Sequence, residues 1–493
     1  MRRVDDATIL SRGAAVESFG HIIDGEEVPS LDGTTFASID PWERAPWATV
    51  ALGSAADAHR AVDAARRAFD VGPWPRMGYV ERGRILHRLA DLIEAHGDEL
   101  ALADTTDMGK PIAETRGHDV PRSAQNFRFF ADHARLTPAE TFPMSTGHHA
   151  YTQYDPAGVV AAIAPWNFPL MMETWKVAPA LAWGNTVVLK PAEQSPASAT
   201  ILGRLAREAG VPPGVLNVVH GYGPDSVGSA LTASPLIDRI TFTGESGTGS
   251  AISRAAAENL TPLSLELGGK GANIVFDDAD LDQAVPWSIK AIFTNSGQVC
   301  LAGSRLYVQQ GILDEFLARF TTAAAELRTG DPKHPDTQLG PLSSREHFDK
   351  VVGYLDIARS EGGRLLGGGT PDGWTVLPTV VLGASQQARV TREEIFGPVV
   401  VVIPFTDEDE AVDLANDTPY GLNAMLFTRD LSRAHRVSRA LRVGTVWTNC
   451  FFVRDLRAPF GGAKNSGVGR EGGSYSREFF TEPKAVVMEI DHR

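Results

Sequence analysis

The segment Arg239-Ile240-Thr241-Phe242-Thr243-Gly244-Glu245-Ser246-Gly247-Thr248-Gly249 joins a short β-branched run to a glycine-rich turn and a helical pattern. Such runs, bounded by turn residues, are typical of buried strands. We therefore predict a strand over residues 239–242 and a helix over residues 247–257. A glycine-rich turn between them leaves backbone N–H groups free to bind a pyrophosphate. It is not a Walker loop, because no Gly-Lys-Ser/Thr follows.

The same alternation continues on both sides of this segment. Strands are predicted at 159–163, 186–189 and 215–219, and again after Glu266 at 273–276, 306–309, 399–403, 424–427 and 445–448. Helices are predicted at 55–68, 79–95, 198–209, 312–327, 346–360, 408–416 and 431–441. This pattern indicates an α/β fold with two mostly parallel sheets in series, one for a nucleotide and one for chemistry. Residues 461–473 are expected to form a long functional loop.

Composition limits the class of protein. The 493 residues predict two or three domains, and 43% hydrophobic with 22% charged residues is typical of a soluble enzyme. A net charge of -15 argues against nucleic acid or an anionic membrane as the main partner. No run reaches the ~18 apolar residues of a membrane span, and Met1 to Asp6 precede no apolar stretch, so no secretory signal is expected. Two cysteines exclude a disulfide scaffold and favour a reducing cytoplasm.

Cys300 lies among small and polar residues, in Asn295-Ser296-Gly297-Gln298-Val299-Cys300-Leu301-Ala302-Gly303. A lone cysteine is usually a small buried hydrophobic residue. Here the flanking glycines favour a thiol exposed at a loop-to-helix junction, where a base or a positive helix end would make it a nucleophile. Cys450 is flanked by bulky apolar groups, so we expect it in the core.

Glu266 ends an apolar run in Leu265-Glu266-Leu267-Gly268-Gly269-Lys270. The alternative is a solvated carboxylate at a strand end. The two leucines predict desolvation, which raises a carboxyl pKa toward the range of a general base, and the two glycines would open space around it.

Asn167 follows a predicted strand in Pro165-Trp166-Asn167-Phe168-Pro169. Its amide is either an ordinary turn residue or a fixed donor for an oxyanion. Lys190 and Glu193 follow the next strand, where ligands bind in open α/β sheets. They form an ordinary polar loop or a ribose site, in which the carboxylate would favour NAD over NADP.

Together these segments resemble the aldehyde dehydrogenase superfamily over nearly the whole chain. The matching motifs, in the family's order and spacing, are Pro165-Trp166-Asn167-Phe168-Pro169, Lys190-Pro191-Ala192-Glu193, Phe242-Thr243-Gly244, Leu265-Glu266-Leu267-Gly268-Gly269-Lys270, Gly297-Gln298-Val299-Cys300, Glu393-Glu394-Ile395-Phe396-Gly397-Pro398 and Pro459-Phe460-Gly461-Gly462.

The resemblance implies a role for each matching residue. Cys300 would be the nucleophile, Glu266 the general base, and the Asn167 amide an oxyanion donor with the Cys300 N–H. Lys176 and Glu471 would form a proton path. NAD contacts are expected from Ile163, Trp166, Lys190, Glu193, Gly223, Phe242, Gly244, Glu245, Ser246, Gly249, Leu267, Glu394 and Phe396. No metal is expected.

The resemblance also implies domain bounds and assembly. A Rossmann-like NAD-binding domain would span residues 1–136 and 155–265, and a catalytic domain residues 266–460. A small β oligomerisation element would combine 137–154 with 470–493, giving a homodimer or homotetramer.

Two features of the turns stand apart. Many family members have serine where this chain has Glu245, so we expect this carboxylate to point away from the pyrophosphate and leave Ser246 as a candidate phosphate contact. The motif Gly467-Val468-Gly469-Arg470-Glu471-Gly472 fits G-x-G-x-x-G, but it follows no predicted strand and is interpreted as a chance match.

Three segments resemble a branch that acts on semialdehydes from aromatic ring cleavage, especially 2-hydroxymuconic semialdehyde dehydrogenases. These are Gly244-Glu245-Ser246, Asp119-Val120-Pro121-Arg122 and residues 449–457. Because such substrates have a carboxylate, Arg122, Arg454 and Arg457 are candidate anchors. Trp175 and Phe460 are further substrate-contact candidates. Surface ion pairs are the alternative for each arginine.

The implied reaction is oxidation of an aldehyde to its acid through a cysteine thiohemiacetal and thioester. A generic aliphatic or aromatic aldehyde is the alternative substrate. Thioester transfer to coenzyme A is disfavoured by Glu266, and a non-catalytic NAD-binding or structural protein remains the alternative of another class.

Overall fold

The computed structural model describes residues 17–490. In chain order its strands are β1 (Glu17–Phe19), β2 (His21–Ile23), β3 (Glu26–Val28), β4 (Thr35–Asp40), β5 (Ala45–Ala51), β6 (Thr141–Pro143), β7 (His148–Pro156), β8 (Val159–Ile163), β9 (Thr186–Lys190), β10 (Leu216–Val218), β11 (Arg239–Thr243), β12 (Leu263–Glu266), β13 (Ala272–Val275), β14 (Arg305–Gln309), β15 (Arg364–Gly367), β16 (Thr379–Leu382), β17 (Val399–Phe405), β18 (Tyr420–Gly421), β19 (Asn423–Phe427), β20 (Thr445–Thr448), β21 (Ala463–Lys464), β22 (Gly467–Val468) and β23 (Thr481–Glu489).

The α-helices, in chain order, are α1 (Ala55–Asp70), α2 (Tyr79–Ala95), α3 (Gly97–Met108), α4 (Ile112–Glu114), α5 (Val120–Leu136), α6 (Pro169–Ala182), α7 (Ala197–Ala209), α8 (Val227–Ala233), α9 (Ser246–Ala257), α10 (Leu281–Phe293), α11 (Leu313–Ala325), α12 (Arg345–Ser360), α13 (Arg389–Arg392), α14 (Glu408–Asn416), α15 (Leu431–Ala440) and α16 (Gly473–Phe480). The sequence predictions for residues 1–16 and 491–493, including the absence of a secretory signal, lie outside the described part of the chain.

The first large sheet has eight strands in the order β22-β12-β11-β8-β9-β10-β2-β3. Its five central strands run parallel, as predicted. Every residue of β8, β9 and β11 is buried, because helices cover both faces of a parallel sheet. The antiparallel strands at its two edges have only two or three residues each and gave no periodic signal in the sequence.

The second large sheet has seven strands in the order β15-β16-β17-β14-β13-β19-β20. All its pairs are parallel except β15 with β16. The predicted strands and helices of this half are confirmed, with bounds that differ by two residues or fewer. The prediction of two α/β units in series is therefore confirmed.

A small antiparallel sheet has the order β23-β7-β6. All nine residues of β23 pair with β7, from Thr481 opposite Pro156 to Glu489 opposite His148. The predicted tail strand over residues 484–490 is thus present but begins earlier. Exposed apolar side chains lie on this sheet, among them Phe142, Val487 and Met488.

The prediction of a plain loop over residues 461–473 is wrong. β21 and β22 lie within it, and β22 pairs with β12 so that Gly467 is opposite Glu266. Two-residue strands are too short to show alternation, which is why the sequence gave no sign of them. The G-x-G-x-x-G match belongs to this sheet edge.

No helix within residues 17–490 is both long and apolar enough to span a membrane.

Candidate active site

A cavity of about 740 Å³ lies at the carboxyl ends of the parallel strands of the first sheet. This is where open α/β sheets bind ligands. The structure brings to its wall the following residues singled out from the sequence: Arg122, Trp166, Asn167, Trp175, Glu193, Gly244, Glu245, Glu266, Leu267, Cys300, Glu394, Phe396, Arg454 and Phe460. One space therefore contains candidates for nucleophile, base, oxyanion donor and cofactor contacts.

The Cys300 thiol lies on a tight turn between α10 and β14. This corrects the predicted loop-to-helix junction. Asn295 and Ser296 have φ of 49° and 54°, which costs backbone strain for residues other than glycine. Gly297 follows with φ of 77°, and a Cβ atom there would lie 2.2 Å from the carbonyl oxygen of Gly397. Strain and close packing together fix the backbone that presents the thiol.

Burial raises the pKa of the Cys300 thiol to about 12, and the nearby carboxyl groups of Glu394 and Glu266 add to this effect. The thiol is therefore protonated at neutral pH in this state. A base must remove its proton before it can attack a carbonyl carbon.

Glu266 is the last residue of β12 and is 3% exposed. Both of its carboxyl oxygens are buried without a hydrogen-bond partner among the described residues. Burial raises the Glu266 pKa well above its ordinary value, and the charge of Glu471 raises it further. The desolvation predicted from the flanking leucines is confirmed.

Glycines make the space around these groups, although not as predicted. A Cβ atom at Gly461 would lie 2.6 Å from Oε1 of Glu266. The adjacent Gly268 instead leaves room for Glu394, whose Oε2 would lie 2.2 Å from a Cβ atom there. The glycine that clears space for the Glu266 carboxylate is thus distant in sequence.

Asn167 is held directly on the Cys300 turn. Its Nδ2 donates to the Gln298 carbonyl oxygen at 2.9 Å, and its own carbonyl oxygen accepts from Nδ2 of Asn295 at 2.8 Å. An amide nitrogen has two hydrogens, so one remains for a ligand.

Lys176 and Glu471 form a buried pair off the cavity wall. Nζ of Lys176 lies 3.3 Å from Oε1 of Glu471 and 3.0 Å from the Thr241 hydroxyl. Nε1 of Trp175 donates to the second carboxyl oxygen of Glu471 at 2.5 Å. The charges of this pair act on Glu266 in opposite directions, since Glu471 raises its pKa and Lys176 lowers it.

The predicted ribose contacts lie at the end of β9. Nζ of Lys190 is 3.7 Å from Oε2 of Glu193, and only Glu193 reaches the cavity wall. Lys190 is buried, and its Nζ also donates to the Pro191 carbonyl oxygen at 3.0 Å.

A second group of predicted cofactor residues closes the cavity from the other sheet. Oε1 of Glu394 accepts from the Gly269 N–H at 2.9 Å, and burial raises the pKa of Glu394 to about 7. Phe396 has a φ of 62° and packs edge-on against Trp166, with ring centroids 5.3 Å apart.

The glycine-rich turn departs from the sequence predictions. Glu245 lies on the cavity wall, whereas we expected it to point away. The Ser246 hydroxyl donates to the Asn465 carbonyl oxygen at 3.0 Å, and Thr248 lines the wall instead. Four other predicted cofactor contacts, Ile163, Gly223, Phe242 and Gly249, lie off the wall; Gly249 instead packs against Leu267, whose side chain a Cβ atom would meet at 2.6 Å.

The three candidate arginines have different environments. The Arg454 guanidinium lies 4.0 Å from the ring centroid of Trp175 and 3.8 Å from that of Phe460. Its Nε and Nη2 atoms are buried without a partner among residues 17–490. Burial lowers the Arg454 pKa to about 9, and the charge of Arg122 lowers it further.

Arg122 also lines the cavity, and its Nε donates to Oδ1 of Asn126 at 3.3 Å. The prediction for Arg457 is not supported. Its side chain is 77% exposed and pairs with Asp455 at 2.6 Å, away from the cavity.

Several wall residues were missed by the sequence analysis. They are contributed mainly by α12 and by the segment before α5, and they include His118, Asn126, Met171, Thr248, His347 and Lys350. The polar residues of α12 looked like an ordinary solvated helix face, so no signal distinguished them. Cys450, predicted to be in the core, is only half-buried. Within residues 17–490 no group of three His, Cys, Asp or Glu side chains could hold a metal ion.

Comparison with known proteins agrees with this geometry. The chain is 48% identical over 482 residues to a 2-hydroxymuconic semialdehyde dehydrogenase of Pseudomonas sp. (strain CF600), covering 95% of this chain and 99% of the relative. It is 44% identical to a 2-aminomuconic 6-semialdehyde dehydrogenase of Pseudomonas sp., covering 97% and 99%. An indole-3-acetaldehyde dehydrogenase of P. syringae, solved in complex with NAD+ and IAA, superposes with a TM-score of 0.94 at 41% identity, covering 97% and 98% of the two chains. Residues 28–486 match the model of the aldehyde dehydrogenase family, and the chain belongs to that family.

Proposed function

We propose that this aldehyde dehydrogenase uses NAD to oxidise a carboxylated semialdehyde, such as 2-hydroxymuconic semialdehyde, to the corresponding acid. The observation that supports it most is a shared cavity: Cys300, Glu266 and Asn167 line the same space as Arg454, a guanidinium without a partner among the described residues. The two muconic semialdehyde dehydrogenases among the relatives support the same substrate class.

The wall fits a dinucleotide at the ends of the parallel strands. Glu193 offers a half-exposed carboxylate to ribose hydroxyls, and it would repel the 2'-phosphate of NADP. The Thr243 hydroxyl on this wall is buried without a partner in the described part of the chain. Trp166 and Phe396 would enclose the nicotinamide end, beside Glu394. When bound there, NAD supplies the hydride acceptor.

The side chains perform the rest of the chemistry. A base removes the Cys300 proton, and the thiolate attacks the aldehyde carbon to give a thiohemiacetal. The free N–H of the Asn167 amide and the Cys300 backbone N–H stabilise the oxyanion. After oxidation to the thioester, Glu266 takes a proton from water, which attacks the carbonyl and releases the acid.

Lys176 and Glu471 are placed to exchange that proton with the interior. Glu471 accepts hydrogen bonds from Trp175, Lys176 and the hydroxyls of Thr241 and Ser264. We propose that this chain of polar groups returns Glu266 to its charged form between turnovers.

The carboxylate of the substrate would bind the empty edge of Arg454. Guanidinium N–H groups pair with carboxylate oxygens two at a time, and Nε and Nη2 point along the same edge of the group. Arg122 provides a second cation on the same wall. An unsubstituted aldehyde would leave Arg454 desolvated and unpaired, which is unfavourable.

We further propose that the protein acts in the cytoplasm as a homodimer or homotetramer. Both cysteines are free in the structure, as a reducing compartment requires. The sheet β23-β7-β6 exposes apolar side chains and is the proposed contact between copies.

The test is NADH formation from a panel of aldehydes, without coenzyme A. We expect turnover with wild type and none with Cys300→Ala, and a preference for carboxylated over plain aldehydes of equal length. Full turnover by Cys300→Ala would refute the chemistry. A strict requirement for coenzyme A would indicate an acylating enzyme, and NAD binding without any aldehyde-dependent NADH would indicate a binding protein.

A further inference from the structure

The outer end of the cavity is formed by an irregular turn of helix. Residues Thr115–Asp119 form a single π-helical turn between α4 and α5. Such turns are rare and concentrate at functional sites, because they displace a side chain from the regular helical position. His118 lies on this turn, lines the main cavity and also lines a neighbouring surface pocket of about 390 Å³. Arg122 is shared by both spaces in the same way.

The His118 ring is fixed by a buried acceptor. Its Nδ1 lies 2.9 Å from Oδ1 of Asp119, which is fully buried. The other carboxyl oxygen of Asp119 accepts from Nζ of Lys110 at 2.5 Å. Because an ionised carboxylate can only accept, Nδ1 is the donor, and in the neutral ring Nε2 has the lone pair.

An aromatic contact holds the other side of the ring. The centroids of His118 and Phe452 are 5.5 Å apart at an interplanar angle of 32°. Phe452 lies on the cavity wall next to Phe168, at 6.2 Å. Among residues 17–490, nothing bonds to Nε2, although the side chain is only 48% exposed. A positioned acceptor therefore remains available at the cavity mouth.

We propose that His118 determines specificity by accepting, at Nε2, a hydrogen bond from a hydroxyl or amino group next to the substrate carboxylate. This inference rests on the proposed function, in which Arg454 and Arg122 bind that carboxylate. The arginines supply donors only, so they recognise carboxylate oxygens and cannot pair with a hydroxyl hydrogen. His118 is the complementary acceptor on the same wall as Arg122, four residues away along the chain.

The test compares three aldehydes of equal chain length: 2-hydroxymuconic semialdehyde, 6-oxohexanoate and hexanal. The variant His118→Phe retains a ring against Phe452 but removes the acceptor. We expect kcat/KM for the hydroxylated substrate to fall about tenfold, as for a lost hydrogen bond, with values for the other two aldehydes within about twofold of wild type. His118→Gln, whose amide oxygen can accept, should recover most of the loss.

Two results would overturn the inference. An equal loss for all three aldehydes would make His118 a structural residue, and no loss for any would make its acceptor irrelevant. The proposed function is judged separately, from wild type alone: equal kcat/KM for 6-oxohexanoate and hexanal would refute carboxylate recognition. The effect of His118 is measured between the two carboxylated substrates and does not depend on that comparison.

Discussion

Arg454→Met is the substitution that tests the carboxylate site most directly. Methionine retains an unbranched side chain between Trp175 and Phe460 but removes the guanidinium that lies 4.0 and 3.8 Å from their ring centroids. The loss falls on the two buried nitrogens that have no partner in the described chain. Hydrogen bonds to charged groups contribute about 1.5–3 kcal/mol. We therefore expect kcat/KM for 6-oxohexanoate to fall on the order of 10- to 150-fold.

The same substitution has a second, electrostatic effect. The charge of Arg454 lowers the pKa of Glu266, partly offsetting the increase due to burial. Without that cation the Glu266 pKa rises, so the acidic limb of the kcat profile moves to higher pH. This shift should appear with every aldehyde, whereas the loss of kcat/KM at alkaline pH should be confined to carboxylated ones.

The assay is initial NADH formation with 6-oxohexanoate and with hexanal, across pH. Arg457→Met is the matched control, because this arginine is three residues away but is exposed and paired with Asp455. It should leave both substrates unchanged. If Arg454→Met lowered kcat/KM equally for 6-oxohexanoate and hexanal at alkaline pH, the assignment of a carboxylate anchor would be refuted.

Three further predictions follow from single buried or cavity-lining carboxyl groups. Glu266→Gln should form NADH in a burst of about one equivalent and then stall at the thioester, seen by stopped-flow absorbance; steady turnover at the wild-type rate would contradict its role as base. Glu193→Gln should narrow the NAD-over-NADP ratio of kcat/KM by about tenfold, or about 1.4 kcal/mol, and an unchanged ratio would exclude repulsion of the 2'-phosphate. Glu173 is fully buried with both carboxyl oxygens unpartnered among residues 17–490, and burial raises its pKa well above 4.5. Its contribution to stability is thus complete below its unfolded pKa and is lost as pH rises through the folded one, so Tm should fall from pH 5 to 9 less steeply in Glu173→Gln than in wild type.

The layered fold was predictable because its signals are local. Strands such as β8, β9 and β11 are buried throughout, so each appears in the sequence as an unbroken apolar run. The environment of Glu266 was predictable for the same reason: its neighbours in β12 are the residues that desolvate it. Edge strands β2, β3 and β22 could not be found, because pairs of two or three residues have no measurable period.

The second half of the site depended on packing between distant segments. His347 and Lys350 reach the cavity from α12, whose sequence has the same charged pattern as any solvated helix. Arg454 and Arg457 are three residues apart and equally plausible as anchors in sequence. They differ because Asp455 pairs with Arg457 in solvent, while Arg454 is inserted between two aromatic rings from other segments. A similar exchange places Thr248, rather than Ser246, on the wall.

Burial makes the nucleophile and the base of this site mutually dependent. The same desolvation raises the pKa of the Cys300 thiol to about 12 and of the Glu266 carboxyl well above its ordinary value. A charge on either group therefore disfavours a charge on the other, and Glu394 acts on the thiol in the same direction. Arg454 is the cation that favours the charged form of both, since its interactions with Glu266 and Cys300 each raise its own pKa. A substrate carboxylate on Arg454 would neutralise that help, so binding must be arranged with the remaining cations, Arg122 and Lys176, balancing the added negative charge. It follows that Arg122 and Arg454 act as a unit, and that removing both should cost less than the sum of the two single losses.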